Sequence, residues 1–383
     1  MPPTKIQAFG TALWATIYVN VAAATLPAVL PVMIGVLADQ LGFGAVHAGY
    51  VASANLAGIA AGSLLCATAA RRFSWSAIIR CGAGLMIGTN VVSLLVSSFP
   101  AFMLARGASG LGEGMISAVC YAAMSRSVNS GRAMALYVAG QGLVGAVGMG
   151  SIPGIVAVGG WRWLFVLVSV VALPAFFLAP LVGTQRGLAL AAAPGGRRFE
   201  PAPVIALGCI LVYFIGMSAV WSFTERLGHA KSIDLAHLSL ALSASAIANM
   251  GGSLLIGFLA HRVSIAAGLL VGAAVAILGL AMLVSSAGWQ PYLVAVSLFF
   301  LSWGLYYPFQ FKLLADTDGS GGTALLIPLV SGGGFTLGPA IGGRLLEAGG
   351  AGLLCSFGAF CVALSTVSAL LLYWRRPHRG VYS

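Results

Sequence analysis

Apolar residues fall into long runs along the chain, separated by short segments that contain Gly, Pro, Ser and Arg. A helix needs roughly 20 apolar residues to cross the ~30 Å hydrocarbon core of a bilayer. Twelve runs approach this length, so the pattern predicts an all-α membrane protein with twelve transmembrane helices. The predicted spans are 10–35, 47–69, 77–98, 100–124, 134–158, 163–183, 203–223, 236–260, 265–287, 291–314, 324–346 and 350–374.

One segment of the sequence recurs at about half the chain length. GSLLCATAARRFS (62–74) and GSLLIGFLAHRVS (252–264) share seven of thirteen residues, and each ends the second predicted span of its half. The longest polar gap, 184–202, lies between the sixth and seventh spans and contains the Pro, Gly and Arg that are typical of a linker. We therefore predict two pseudo-symmetric six-helix bundles, 1–183 and 203–383, joined by a cytoplasmic linker at 184–202.

Basic residues lie mainly on one side of this predicted topology. With a cytoplasmic N-terminus, fourteen of the 19 lysines and arginines fall on the inner side, and Arg106 falls within the membrane. The four on the outer side are Arg162, Arg226, Lys231 and Arg344. This bias follows the positive-inside rule and predicts a multi-pass protein of the bacterial inner (plasma) membrane with both termini in the cytoplasm. It also explains the net charge of +11 by contact with anionic lipids at the cytoplasmic face, without nucleic acid.

The composition argues against several other classes of protein. Hydrophobic residues make up 60% of the chain and charged residues 7%, whereas soluble domains carry about 25% charged residues. The six cysteines lie inside apolar runs and lack metal-ligand spacing, so we expect neither disulfides, nor a metal site, nor a cofactor. The sequence has no nucleotide-binding motif and no set of a nucleophile with its base, which argues against an enzyme or an ATP-driven pump. We expect a monomer.

Two loop motifs resemble the signature of the major facilitator superfamily. In that family the loop between helices 2 and 3 reads Gly-x-Leu-Ala-Asp-Arg-x-Gly. GFLAHRVS (257–264) resembles the second-half copy, with His261 in place of the acid, and ATAARRFS (67–74) resembles the first-half copy. Arg72 and Arg262 match the arginine of the family motif. The resemblance implies that Arg72, His261 and Arg262 belong to a conformational gate.

Two further motifs extend the resemblance to essentially the whole chain. GFTLGPAIGG (334–343) is similar to the Gly-Pro motif that antiporter branches carry in helix 5, although here it lies in the eleventh span. It implies that Gly338 and Pro339 also take part in the gate. GGWRWLF (159–165) resembles the start of helix 6 in the family. The family implies a secondary transporter that works by alternating access.

The stretch ARGASGLGEG (105–114) places two charged residues within the fourth predicted span. A charged residue at membrane depth costs at least ~2.5–3.5 kcal/mol and is usually functional. Seven residues separate Arg106 from Glu113, which is about 20° short of two full helical turns. Their side chains are therefore expected to share one face of the helix. The stretch resembles the fourth helix of anion:cation symporter relatives, which implies that Glu113 carries a proton and that Arg106 is its charge partner or an anion site. The alternative is a structural role, with each residue paired to neighbouring helices.

Other polar and aromatic residues complete the predicted substrate site. In the superfamily, helices 1, 4, 7 and 10 line a central cavity. Flat aromatic faces with polar tips suit an aromatic or amphipathic solute, although such residues often serve packing instead. Besides Arg106 and Glu113, the predicted substrate-binding residues are Asn20, Tyr213, Trp221, Trp303, Tyr306, Tyr307 and Gln310.

These observations predict a proton-coupled symporter for a small organic acid with aromatic or amphipathic character. The charged residues of the fourth span favour this function. The aromatic residues of the tenth span favour an alternative, a drug/proton antiporter that exports amphipathic compounds. A non-transporting membrane receptor or chaperone on the same fold is a second alternative, because the loop motifs depart from the family pattern.

Overall fold

The protein is almost entirely helical in the part of the chain that the structure, a computed structural model, describes: residues 10–127, 130–184, 201–259, 262–317 and 326–375. Most of the predicted linker at 184–202 lies outside these residues, and so does His261. The described residues form fourteen helices: α1 Thr11–Ala23, α2 Thr25–Ala28, α3 Leu30–Gln40, α4 Gly44–Ala69, α5 Trp75–Leu95, α6 Phe99–Ser125, α7 Ser130–Gly159, α8 Arg162–Val182, α9 Pro201–Ser222, α10 Thr224–His229, α11 Leu235–Leu259, α12 Ile265–Ser285, α13 Trp289–Thr317 and α14 Ile327–Trp374.

The helices are suited to a bilayer. Nine of those in the described ranges are long and apolar enough to cross a membrane: α4, α5, α7, α8, α9, α11, α12, α13 and α14. Many large apolar side chains are exposed on them, among them Leu95, Val158 and Phe177. Exposed apolar surface of this kind needs lipid rather than water as its neighbour. The chain is therefore a multi-pass integral membrane protein.

The helix boundaries differ from the predicted spans mainly in the first span. The first predicted span is divided into α1, α2 and α3, with breaks at Ala24 and Val29. Pro31 lies in the first turn of α3, where the missing N–H of proline costs no hydrogen bond. The last two predicted spans lie in α14, which consists of two helices joined where Gly349 and Gly350 leave the helical conformation, at the boundary predicted between 346 and 350. Local backbone conformation therefore sets both the breaks in the first span and the junction between the last two.

The repeated segment forms the same helix contact in both halves of the chain. Gly62 on α4 lies against the backbone carbonyl of Leu111 on α6, and Gly252 on α11 lies against that of Leu301 on α13. A Cβ atom on either glycine would collide with that carbonyl. Both residues of the first contact recur 190 residues later in the second. Small residues allow such close approach between helices in a membrane.

The loops that follow the repeat also end in the same way. Ser74 accepts a hydrogen bond from the backbone N–H of Ala77 and caps the start of α5. Ser264 accepts one from Ala267 and caps the start of α12. Serine at this position satisfies one of the free N–H groups of a helix start. The shared sequence therefore encodes a shared turn.

The first and second halves of the chain pack against each other near one end of the helices. The backbone N–H of Ala340 on α14 donates to Ser53 Oγ on α4 at 3.0 Å. Ser243 Oγ on α11 donates to the carbonyl of Ala146 on α7 at 2.8 Å. α3 and α10 also meet in this region. We call this end, at which α4 and α11 begin, the closed end.

Glycines bring α4 and α14 into backbone contact at the closed end. Gly49 lies against the carbonyl of Pro339, and Gly343 lies against the carbonyl of Ala45. Gly338, the other predicted gate residue of this motif, packs instead against Ser218 of α9. Of this motif, Pro339 therefore contacts the first half of the chain and Gly338 contacts α9 in the second half.

The arginines of the predicted gate lie at the opposite end of the helices. Arg72 is exposed in the turn between α4 and α5, and Arg262 lies in the equivalent turn between α11 and α12. The two parts of the predicted gate are therefore separated by the length of α4.

Candidate functional site

Two charged side chains lie buried within α6. Arg106 is 0% exposed and Glu113 is 1% exposed. Between and beside them α6 carries Gly107, Gly110 and Gly114, and the latter two lie against the backbone of α4. The glycines allow α4 to approach α6 closely, so polar side chains of α4 come within reach of Glu113.

The Glu113 carboxylate accepts two hydrogen bonds from uncharged donors. Asn55 Nδ2 on α4 donates to Oε2 at 2.9 Å, and Ser109 Oγ, one turn earlier on α6, donates to Oε1 at 3.0 Å. Asn55 Oδ1 is buried without a hydrogen-bond partner. The side-chain amide and the hydroxyl contain acceptors as well as donors, so they can serve a charged carboxylate and a neutral carboxyl group.

Arg106 has different partners. Its Nη2 donates to Ser93 Oγ on α5 at 2.8 Å, and its guanidinium carbon lies 4.7 Å from the ring centre of Phe165 on α8. Its Nε and Nη1 are buried without a hydrogen-bond partner. Arg106 and Glu113 therefore share a helix, but each is held by a different set of neighbours.

Aromatic residues form a second group between α9, α13 and α14, which we call the aromatic cluster: Tyr213, Phe214, Trp221, Trp303, Tyr306 and Phe335. Tyr213 stacks on Tyr306 with ring centres 4.4 Å apart. Trp303 lies 5.8 Å from Trp221 and 5.5 Å from Phe335. Ring separations of this size are favourable for aromatic pairs.

Polar atoms of the aromatic cluster and of Gln310, one turn after Tyr306 on α13, are only partly satisfied. Gln310 Nε2 donates to Ser365 Oγ at 2.7 Å and to the carbonyl of Cys209 at 3.2 Å. Gln310 Oε1, the Tyr213 hydroxyl and Trp303 Nε1 are buried without hydrogen-bond partners. Buried polar groups usually find a partner, so three unpartnered groups in one region require an explanation.

The structure divides the predicted site residues into separate groups. Arg106 and Glu113 contact α4, α5 and α8, whereas Tyr213, Trp221, Trp303, Tyr306 and Gln310 lie among α9, α13 and α14. Asn20 is buried in α1. Tyr307 is half-buried and contacts Phe311 of its own helix.

Some neighbours of these groups are not among the proton-coupling and substrate-binding residues predicted from sequence. Asn55, Ser93, Phe165 and Phe335 contact the predicted residues from other helices. The contacts join residues far apart in the chain, so sequence spacing within one helix gives no signal for them.

The family model of the Major Facilitator Superfamily matches residues 13–327, and the chain belongs to this family. The protein is accordingly a secondary transporter rather than an enzyme. Comparison with curated proteins gives no significant match.

Solved structures of similar fold include two of the nucleoside transporter NupG. A mutant form aligns with a TM-score of 0.72 at 14% sequence identity, and the alignment covers 95% of this chain and 99% of the other. A second NupG structure aligns with a TM-score of 0.70 at 13% identity, covering 96% of this chain and 100% of the other. At this identity the likeness concerns the fold.

Proposed function

We propose that the protein is a proton-coupled transporter for a small organic acid with an aromatic ring, and that Glu113 carries the proton. In this proposal α1 to α3 form one span and α14 forms two, which gives twelve spans in two six-helix bundles. The bundles expose a central site to one side of the membrane at a time. Most basic residues lie on the side of the predicted topology opposite the closed end. This distribution favours an orientation in which the closed end faces the outside of a bacterial inner membrane.

The observation that carries the proposal is the environment of Glu113. A carboxyl group that releases and rebinds a proton needs neighbours that tolerate both charge states. Asn55 and Ser109 meet this condition because both are uncharged and both contain donors and acceptors. Arg106 does not hold Glu113 in a direct ion pair, since its guanidinium is engaged by Ser93 and Phe165.

The substrate proposal rests on both groups of residues. The unpartnered Nε and Nη1 of Arg106 are suited to a carboxylate. The aromatic cluster offers stacking surfaces for a ring, and the unpartnered Tyr213 hydroxyl and Trp303 Nε1, with Oε1 of Gln310 one turn after Tyr306, offer two donors and one acceptor for polar groups of a substrate. Exposure of these groups during the transport cycle would give them the partners that they lack.

A second candidate substrate is a neutral heteroaromatic solute of the nucleoside kind. The unpartnered donors of Tyr213 and Trp303 and the acceptor of Gln310 are of the kinds that pair with a nucleobase, and the fold resembles that of a nucleoside transporter. This candidate leaves Arg106 as a structural residue of the first half of the chain.

Membrane voltage distinguishes the two candidates. A monoanion that moves with one proton carries no net charge, so voltage leaves its accumulation unchanged. A neutral solute that moves with one proton carries one charge, and about 100 mV then contributes roughly 2.3 kcal/mol, or about fiftyfold in accumulation.

The test uses purified protein in liposomes with an imposed pH gradient and, separately, an imposed voltage. The probes are radiolabelled aromatic carboxylic acids, nucleosides and aromatic cations. We expect proton-driven accumulation of an acid, loss of accumulation in Glu113→Gln, and retained exchange of labelled for unlabelled substrate at equal pH. Accumulation by Glu113→Gln would overturn the role of Glu113. Proton-driven export of a cation would support the antiporter alternative instead.

A further inference from the structure

The closed end contains an ionic cluster that joins the two halves of the chain. Arg226 on α10 forms an ion pair with Asp39 at the end of α3. Both side chains are partly exposed. The pair bridges segments that must separate if the closed end opens, so its surroundings bear directly on that transition.

Glu225, the neighbour of Arg226, occupies a more enclosed position. Its carboxylate lies directly against Gly35 of α3, where a Cβ atom would overlap it. Its Oε2 atom is buried and has no hydrogen-bond partner. The absence of a side chain at Gly35 therefore creates the space in which this carboxylate sits.

The charged and titratable groups around Glu225 come from three helices. Asp39 lies on α3, Tyr292 lies on α13 and donates to the carbonyl of Thr224, and Arg226 lies on α10 itself. Burial and, to a smaller extent, the negative charge of Asp39 raise the pKa of Glu225, Arg226 lowers it, and the resulting pKa is about 7. His229, also on α10, is exposed.

These contacts exist only while α3 and α10 are packed together. In this arrangement Glu225 is partly exposed, but its Oε2 atom is buried against α3, and Arg226 is already paired with Asp39. A buried carboxylate oxygen without a partner is costly when the group is charged, whereas the neutral carboxyl group is tolerated. Once the two helices separate, water solvates Glu225 and its charged form is favoured.

We propose that Glu225 is a second proton-binding site, distinct from Glu113, which takes up a proton from the solution at the closed end as the two halves close over it. Closure of this end then takes up as much as one proton, depending on the pH, and opening releases it to the same solution. The proposal rests on alternating access and not on the role of Glu113.

The sign of the pH effect follows from linkage. The pKa of Glu225 is about 7 with the end closed, against an ordinary glutamate value with the end open. Protonation therefore favours the closed state: the effect is full below the ordinary value and is lost as the pH rises through about 7. Between about pH 8 and about pH 5.5 the ratio of closed to open molecules should rise about thirtyfold.

The experiment measures the distance across the closed end by double electron–electron resonance in lipid nanodiscs. Spin labels are attached to Ser97→Cys and Ala236→Cys, which are exposed positions in the first and second halves of the chain. Cys81 is exposed and is replaced by serine, while the other five cysteines are buried. We expect the short-distance population to grow on acidification, and Glu225→Gln to remain closed at both pH values.

Glu347→Gln is the matched control, because Glu347 also bridges the halves at the closed end, through the N–H of Val46 at 2.9 Å, but is exposed. Its pH response should equal that of the unmodified protein.

Gly35→Ala, whose methyl group displaces the Glu225 carboxylate, should move the midpoint of the response to lower pH. A response that survives Glu225→Gln, or an absent response in the unmodified protein, would overturn the proposal. Glu113→Gln should leave the pH dependence of the spin-label distance unchanged, which would separate the Glu225 site from the proposed proton carrier.

Discussion

Asn55 on α4 donates a hydrogen bond to the Glu113 carboxylate on α6, with an N···O distance of 2.9 Å. The contact is possible because Gly110 and Gly114 let the backbone of α4 approach α6. Helix packing and the chemistry of the proposed proton carrier are thus coupled through one amide. A hydrogen bond to a charged group typically contributes about 1.5–3 kcal/mol.

A double-mutant cycle tests this coupling. Asn55→Leu should lower the free energy of unfolding by about 1.5–3 kcal/mol, because a buried carboxyl group loses a donor. In a Glu113→Gln background the same substitution should lower the free energy of unfolding by a smaller amount. The measurement is denaturant unfolding in mixed micelles, followed by circular dichroism.

Asn90→Leu provides the control for this cycle. Asn90 on α5 is fully buried, and both polar atoms of its side chain lack hydrogen-bond partners. Its replacement by leucine removes unpartnered polar atoms and should be neutral or stabilising. If Asn55→Leu lowers the free energy of unfolding equally in both backgrounds, the result would argue against a specific contact with Glu113.

The closed end should depend on its glycines. Gly49→Val and Gly343→Val introduce side chains against the carbonyls of Pro339 and Ala45, so the two halves cannot pack at this end. We expect both variants to fold but to lose transport, with the spin-label distance across the closed end fixed at its long value. Gly84→Val is the control, since no atom lies within 4 Å of its added Cβ. Retained transport in Gly343→Val would show that this contact is dispensable.

Hydrophobic runs alone predict most helices of this fold, because a bilayer demands long apolar segments whatever their neighbours. They place a boundary between the last two spans at 346–350, where Gly349 and Gly350 leave the helical conformation, but they do not predict the division of the first span at Ala24 and Val29. That division depends on single backbone angles, which hydropathy does not encode.

The repeat contains more information about the site than its motifs suggest. Leu111 and Leu301 occupy equivalent contacts 190 residues apart, and the same separation relates Glu113 to Trp303. The position of the buried acid in the first half is therefore occupied by an aromatic residue of the cluster in the second half. Sequence could predict this correspondence, but the partners Asn55 and Phe335 depend on packing between helices.

Two tyrosines of the aromatic cluster should respond differently to loss of their hydroxyl groups. The Tyr213 hydroxyl is buried without a partner, whereas the Tyr306 hydroxyl bonds to Thr366 Oγ1 at 2.8 Å and to Ser365 Oγ at 3.3 Å. Tyr213→Phe should leave stability unchanged or raise it, and should weaken substrate binding about tenfold if its hydroxyl contacts substrate. Tyr306→Phe should cost about 1 kcal/mol of stability. Unchanged affinity in Tyr213→Phe would exclude that hydroxyl from the substrate site.

The junction between the two helices of α14 offers a test of backbone strain. Gly350 adopts φ +63° and ψ −159°, a conformation that is accessible essentially to glycine alone. Gly350→Ala should therefore destabilise the protein by about 1–3 kcal/mol, or straighten the junction between the two parts of α14. Gly352→Ala, two residues further on and with no atom within 4 Å of the added Cβ, should be neutral or stabilising by about 0.5–1 kcal/mol. Denaturant unfolding of the two variants in parallel separates the alternatives, because a general intolerance of this region would lower both stabilities, whereas backbone strain at the kink lowers only the first.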